Sequence, residues 1–341
     1  MRNTKLVASI LLLSLVFMVS QASGNCDVYA QTKAIENPVP IRMRFAATLA
    51  LHDPQTQAFI RFADLINRRT NGTIEIIVYP ASELGDEASV VESMQLGTIE
   101  MACTGYTGNE IYDLQYLPYL YENCNHFFAV FRGDIGDVWR DRQIEEMGLR
   151  PLDAAYVGRG VVTSNKLFTT PREAKGLKIR LMEMPVILDT WDAIGTNPIP
   201  MAWPEVFGAL QAGVIDAQEN PVALAKSEHF YEVTKYLIRS HHSLHAMFVQ
   251  IAEPVWPRMS VEVQELFTDT LHEVMEDLAK QIEEETAEVE EYLEQQGMKI
   301  IDPDISAFRE ATKDVWKDHA PIVWGDGVYE AIQALGETYS N

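Results

Sequence analysis

Residues 260–297, SVEVQELFTDTLHEVMEDLAKQIEEETAEVEEYLEQQG, carry apolar side chains at helical spacing over a length that one small domain does not need. Leu266, Val274, Leu278, Ile282, Val289 and Leu293 share a stripe, Ser260 can cap the start, and Gly297 ends it. Roughly 36 residues at about 1.5 Å each give a rod near 54 Å. A single lobe is shorter than that, so the helix is expected to brace two. Its acidic run, Glu283 to Glu285 with Glu290 and Glu291, reads as a solvated face.

The rest of the chain alternates helices and strands. HDPQTQAFIRFADLINRRTNG reads as a helix: Asp53 caps it, Pro54 fills the first turn, Phe59, Phe62, Ala63 and Ile66 form its stripe, and Asn71-Gly72 stops it. TIEIIVYP reads as a strand, Asp86 caps a second helix through Leu96, and TIEMACT reads as the next strand. The second half repeats this order, with a strand in GLKIRLMEMP, a helix over 185–194, a short strand and turn in NPIPMAW, a helix from Pro204 to Gly213, and a strand in VIDAQ. QLGTIEMA and QAGVIDAQ fall at corresponding places in the two halves. An α/β fold of two related lobes is the expectation, each with a mostly parallel sheet.

Charge and targeting narrow the class. With 27 basic against 50 acidic residues the formal charge is −23, which argues against nucleic acid or an anionic membrane surface as partner. Arg2 and Lys5 precede an apolar run from Leu6 to Val19 and small residues at Ala22 to Gly24. That is the form of a secretory signal peptide over residues 1–24, with a cut as late as residue 30 also compatible, and the run is too short to span a bilayer. The mature chain is expected to be exported. Of the three cysteines, Cys103 and Cys124 could bridge, or Cys103 could be a small buried hydrophobe within Ile99, Met101, Cys103. Asn25 is a poor neighbour for lipidation of Cys26.

Signatures of common chemistry are missing: no G-x-S-x-G elbow, H-E-x-x-H helix, P-loop or G-x-G-x-x-G turn occurs, and no cofactor is expected. His241, His242 and His245 cluster in SHHSLH, and His241 and His245 would share a face if the run were helical. With no acid or cysteine nearby to complete a ligand set, no metal site is expected.

One stretch does ask for a ligand. In KGLKIRLMEMP, Leu177, Ile179 and Leu181 alternate with Lys178 and Arg180, as in a strand with one face in a core. A guanidinium there needs an anion opposite it, either a carboxylate of this chain such as Glu183 or one on a ligand.

At this point the sequence resembles the TRAP-type solute-binding proteins of the DctP type. The likeness runs through NGTIEIIVYPASELGDEASVVESMQLGTIEMA, GLKIRLMEMP, GTNPIPMAWPEVFGALQAGVIDAQENP, FYEVTKYL and the long late helix. It implies two α/β lobes joined by crossover strands and that helix, closing over a small organic acid that is handed to the membrane subunits of a TRAP permease. Lobe I would hold residues 38–156 and about 246–285, and lobe II about 157–245 and 286–341. It implies a periplasmic, monomeric binder and not an enzyme, with an exported carboxylate-processing enzyme as the alternative of a different class.

The resemblance also assigns residues. Arg180 matches the arginine that binds the ligand carboxylate, and Asn220 in DAQENP an asparagine donating to the same group; this chain has Ala217 where glycine is usual. Arg159 in YVGRG matches a second arginine, with one residue more than usual between it and the Arg180 block, and Trp203 in PMAWPE matches an aromatic that packs on the ligand's carbon frame. Thr48 in FAATL, Glu87 in LGDEA, Gly105 and Tyr106 in CTGYTG, and Glu183 occupy positions that choose among ligands. Acids accept well from sugar hydroxyls, so an aldonate or uronate is favoured over a C4-dicarboxylate.

Overall fold

The computed structural model describes residues 34–340; the leader and Cys26 lie outside them. Ten strands follow in chain order: β1 (Ile41–Ala47), β2 (Ile74–Tyr79), β3 (Met101–Thr104), β4 (Leu149–Ser164), β5 (Lys178–Leu181), β6 (Asn197–Pro200), β7 (Ala217–Pro221), β8 (Tyr236–Ile238), β9 (Leu244–Ala252) and β10 (Lys299–Ile301). They lie in the order β2-β1-β3-β9-β4-β7-β5-β6, with β8 pairing β4 and β10. β1 is parallel to β2 and β3, and β5 is parallel to β6 and β7. Parallel neighbours need crossovers. Helices Pro54–Arg69, Glu87–Gln95 and Pro185–Ala193 supply them after β1, β2 and β5. The first is capped as its sequence suggests: Asp53 Oδ1 accepts from Gln55 N at 3.0 Å, and Phe59, Phe62, Ala63 and Ile66 are buried.

β4 divides the fold into two lobes. Its 16 residues exceed an ordinary strand, and it uses them on two sets of partners. Residues 149–159 pair with β9, which continues to β3; residues 160–164 pair with β7 and β8. The long helix, Val261–Gln295, begins where Ser260 Oγ accepts from Val263 N. It packs against β4, helix Pro54–Arg69, helix Val222–Ser227 and β10, and so touches both groups of strands. Phe267, Leu271, Val274, Leu278 and Ile282 enter the main core, while Val289 and Leu293 join a separate cluster with Val161 and Leu237. At the near end Val263 and Phe267 are buried, and Leu266, expected on the stripe, is only half-buried.

Two local readings are corrected, and of the two readings of Cys103 the small buried hydrophobe holds. The strand expected in VIDAQ starts later and runs from Ala217 to Pro221, because Asp216 is held outside it by Lys166 Nζ at 2.7 Å and the Lys178 amide at 3.0 Å. Gln218, Glu219 and Asn220 therefore sit within β7. SHHSLH is not helical: His241 has φ 45° and His245 already belongs to β9, so these two share no helix face. Cys103 and Cys124 are both buried and unbridged.

Candidate ligand-binding site

A cavity of about 310 Å³ lies between the β1–β3 side and the β5–β7 side, within the size range of small-molecule sites. Arg180 lies within β5, paired with Ile199 of β6 and Gln218 of β7, so the backbone that carries it is fixed on both edges. It is 2% exposed. Nε donates to Met201 O at 2.9 Å, while Nη1 is buried with no partner. The guanidinium carbon stands 5.5 Å from the centre of the Trp203 ring. Burial lowers the Arg180 pKa to about 10, against the pull of Glu219, Glu87 and Glu205. Glu183 is exposed on the cavity wall and is not its ion-pair partner. A buried planar fork with an unspent donor beside an indole is arranged for a planar anion bound through two parallel hydrogen bonds.

Asn220 of β7 lines the same cavity, its Nδ2 donating to Gln218 Oε1 at 2.7 Å while Gln218 Nε2 donates to Thr163 Oγ1 at 2.7 Å. Trp203 is braced edge-on by Phe230, with ring centres 5.6 Å apart. Thr48, Glu87, Gly105 and Tyr106 form the opposite wall. Here Glu87 does a different job from the one expected of it. Its Oε1 accepts from Gly105 N at 2.9 Å and Thr48 Oγ1 at 3.2 Å, and its Oε2 from Tyr106 N at 3.1 Å. Those bonds commit Oε1 and part of Oε2 to shaping the 105–106 turn, and they offset in part the burial that raises its pKa. A Cβ on Gly105 would come within 3.3 Å of Tyr116 Oη and 3.5 Å of Met182 Sδ, so this turn packs closely against both side chains.

Arg159 is the one sequence-assigned residue that does not reach the cavity. β4 shifts register against β9 between Tyr156 and Gly158, where Gly158 has φ 132°. An extra residue turns the side chains that follow it to the other face. Val157 therefore lines the cavity, and Arg159 instead donates through Nη2 to Glu122 O.

The fold also gathers residues that the sequence reading missed. Met182 and Met201 line the cavity beside Arg180, and His245 and Met247 reach it from β9. Behind them Glu219 Oε2 lies 3.0 Å from both His242 Nε2 and His245 Nε2, and His242 Nδ1 lies 2.8 Å from Ser240 Oγ. Burial would raise the Glu219 pKa, but the two imidazoles outweigh it and hold this carboxyl far below its usual range. The missing acid on which the expectation of no metal rested is thus supplied by β7. Asp113, also buried, has an unpartnered Oδ1, and burial with repulsion from Glu110 and Glu87 pushes its pKa up to about 7.

Residues 45–321 match the model of the bacterial extracellular solute-binding protein family 7, DctP. The chain belongs to this family. Members of it are receptors and not enzymes. A solute-binding protein of Roseobacter denitrificans is 35% identical to this family-7 chain over 262 residues, covering 75% of the chain and 80% of the relative. A TRAP periplasmic solute-binding protein from the same organism, solved with L-galactonate bound, superposes with TM-score 0.80 at 30% identity, covering 89% of this chain and 99% of that one. Another from Polaromonas, bound to D-erythronate, gives TM-score 0.80 at 28% identity over 86% and 98%.

Proposed function

We propose that this family-7 protein works in the periplasm as a monomer, capturing a small sugar acid of the aldonate or uronate kind and delivering it to the membrane subunits of a TRAP permease. The observation that carries the reading is Arg180, a buried guanidinium with Nη1 unpartnered that lines a cavity walled also by Trp203 and Asn220. In this reading Arg180 and Asn220 hold the carboxylate, Trp203 and the methionines pack on the carbon frame, and Glu183 and Tyr106 take hydroxyls. Thr48, Glu87 and Gly105 shape the wall. The lobes, residues 38–156 with about 246–285 and about 157–245 with 286–341, would close over the ligand by movement at β4 and β9.

L-galactonate and D-erythronate in the two similar structures support a hydroxylated monocarboxylate. So does the cavity's charge. With Arg159 turned away, Arg180 is the one cation among the described residues lining it, while Glu183 and Asp86 face the same space. A second carboxylate would meet acids there, which disfavours C4-dicarboxylates.

A thermal-shift panel of aldonates, uronates, C4-dicarboxylates, aromatic acids and amino acids tests this. A ligand at about 100 times its Kd adds about 2.7 kcal/mol of stability, so a sugar acid should raise the melting temperature by several degrees. The reading fails if no carboxylate in the panel moves it.

A further inference from the structure

The Glu219, His242 and His245 cluster is more than a satisfied group of core side chains. Three ligand-type atoms from two segments, Glu219 Oε2, His242 Nε2 and His245 Nε2, all lie within 4.8 Å of one another, and all three residues are buried. Two imidazole nitrogens aim at one carboxylate oxygen, each at 3.0 Å. A tetrahedral Zn²⁺ with bonds near 2.0–2.1 Å spaces its ligand atoms by about 3.3 Å. The two oxygen-to-nitrogen distances are already near that spacing.

The surroundings are those of a ligand set. His242 is oriented through its other nitrogen by Ser240 Oγ at 2.8 Å, the arrangement that fixes tautomer and ring direction in metal-bound histidines. Ser243 Oγ lies 3.0 Å from His245 Nε2 itself and would give up that contact when the nitrogen takes a metal. Room for the cluster comes from Gly160, where a Cβ would lie 2.8 Å from His242 Cε1 and 3.0 Å from His245 Nε2. His245 also lines the cavity, so one member of the set borders it. Two imidazoles and one carboxylate form a donor set that suits Zn²⁺.

We propose that Glu219, His242 and His245 form a binding site for a divalent transition-metal ion of the zinc class at the back of the cavity. Arg180 is near the same acid but forms no ion pair with it among the described residues, which leaves the oxygen that faces the two imidazoles available to a metal. The proposal is independent of which organic acid the cavity takes.

The test is ZnCl2 titration of the EDTA-treated protein by calorimetry, with bound metal counted after gel filtration. The expected result is saturable uptake of one Zn²⁺ per chain, lost in both Glu219→Gln and His242→Gln, and an affinity about tenfold lower in Ser240→Ala, the usual cost of removing an orienting partner. Melting in EDTA identifies any variant that fails to fold. Wild-type protein that takes up no stoichiometric Zn²⁺, or uptake that survives in folded Glu219→Gln or His242→Gln, overturns the site. No organic acid is present in the titration, so its failure leaves the receptor reading standing.

Discussion

Replacing Arg180 by methionine removes the guanidinium fork but keeps an unbranched side chain of similar reach. In the folded protein the guanidinium pKa stands at about 10 against an ordinary 12.5. At about 1.4 kcal/mol per pKa unit, the empty cavity carries about 3 kcal/mol of burial cost. Because the folded value lies below the unfolded one, that cost is present at every pH below about 10, and so at neutral pH. A ligand carboxylate reaching the fork through two charge-assisted hydrogen bonds returns about 1.5–3 kcal/mol each. Truncating one partner of such a buried pair costs about 2–5 kcal/mol, a loss of roughly 30- to 5,000-fold in Kd. The same substitution should not weaken the empty protein, since it removes a buried charge. Calorimetry with the sugar acid that gives the largest thermal shift measures the first effect, and melting without ligand the second. Binding by Arg180→Met within about threefold of wild type would refute the carboxylate assignment. A large fall in its ligand-free melting temperature would refute the argument that burial of the charge outweighs the pull of the neighbouring acids.

Two further outcomes follow from the same kind of reasoning. Asp113 has a folded pKa of about 7, raised above that of an unfolded aspartate, so the stability it contributes is full below about pH 4 and is lost as pH rises through 7. Asp113→Asn should therefore melt progressively higher than wild type between pH 4 and pH 8, by at most about 4 kcal/mol; a pH-independent difference would count against the unpartnered carboxyl. Gly160→Ala drives a methyl to within 2.8 Å of His242 and Ser243 and should cost about 1–3 kcal/mol in denaturant unfolding, a cost that would vanish if this approach were loose.

Much of the fold is written locally. Asp53 and Pro54 start a helix wherever they stand before such a stripe, and the spacing from Val274 to Leu293 makes one long helix whatever it packs on, because caps and period-3.6 burial depend only on near neighbours. The strand carrying Arg180 was equally legible from its period of two. What the strand could not say was what faced the charge: sequence pattern left Glu183 and a ligand both open, and family resemblance favoured the ligand.

Other features lay beyond any local pattern. A single extra residue before Arg159 reverses which face of β4 meets the cavity, and that takes effect only through pairing with β9, where Val157 gains the place Arg159 was expected to fill. Glu87 looked like a hydroxyl acceptor until the turn at Gly105 and Tyr106, 18 and 19 residues away, claimed its oxygens. Glu219 sits 23 residues from His242, and nothing in SHHSLH announces an acid beside it. The sequence by itself determined helices, strands and the presence of a buried arginine, since these follow from short-range periodicity. Which polar groups satisfy one another, and which are left facing the cavity, only the tertiary structure decided, because burial and partner are set by segments that meet across the sheet.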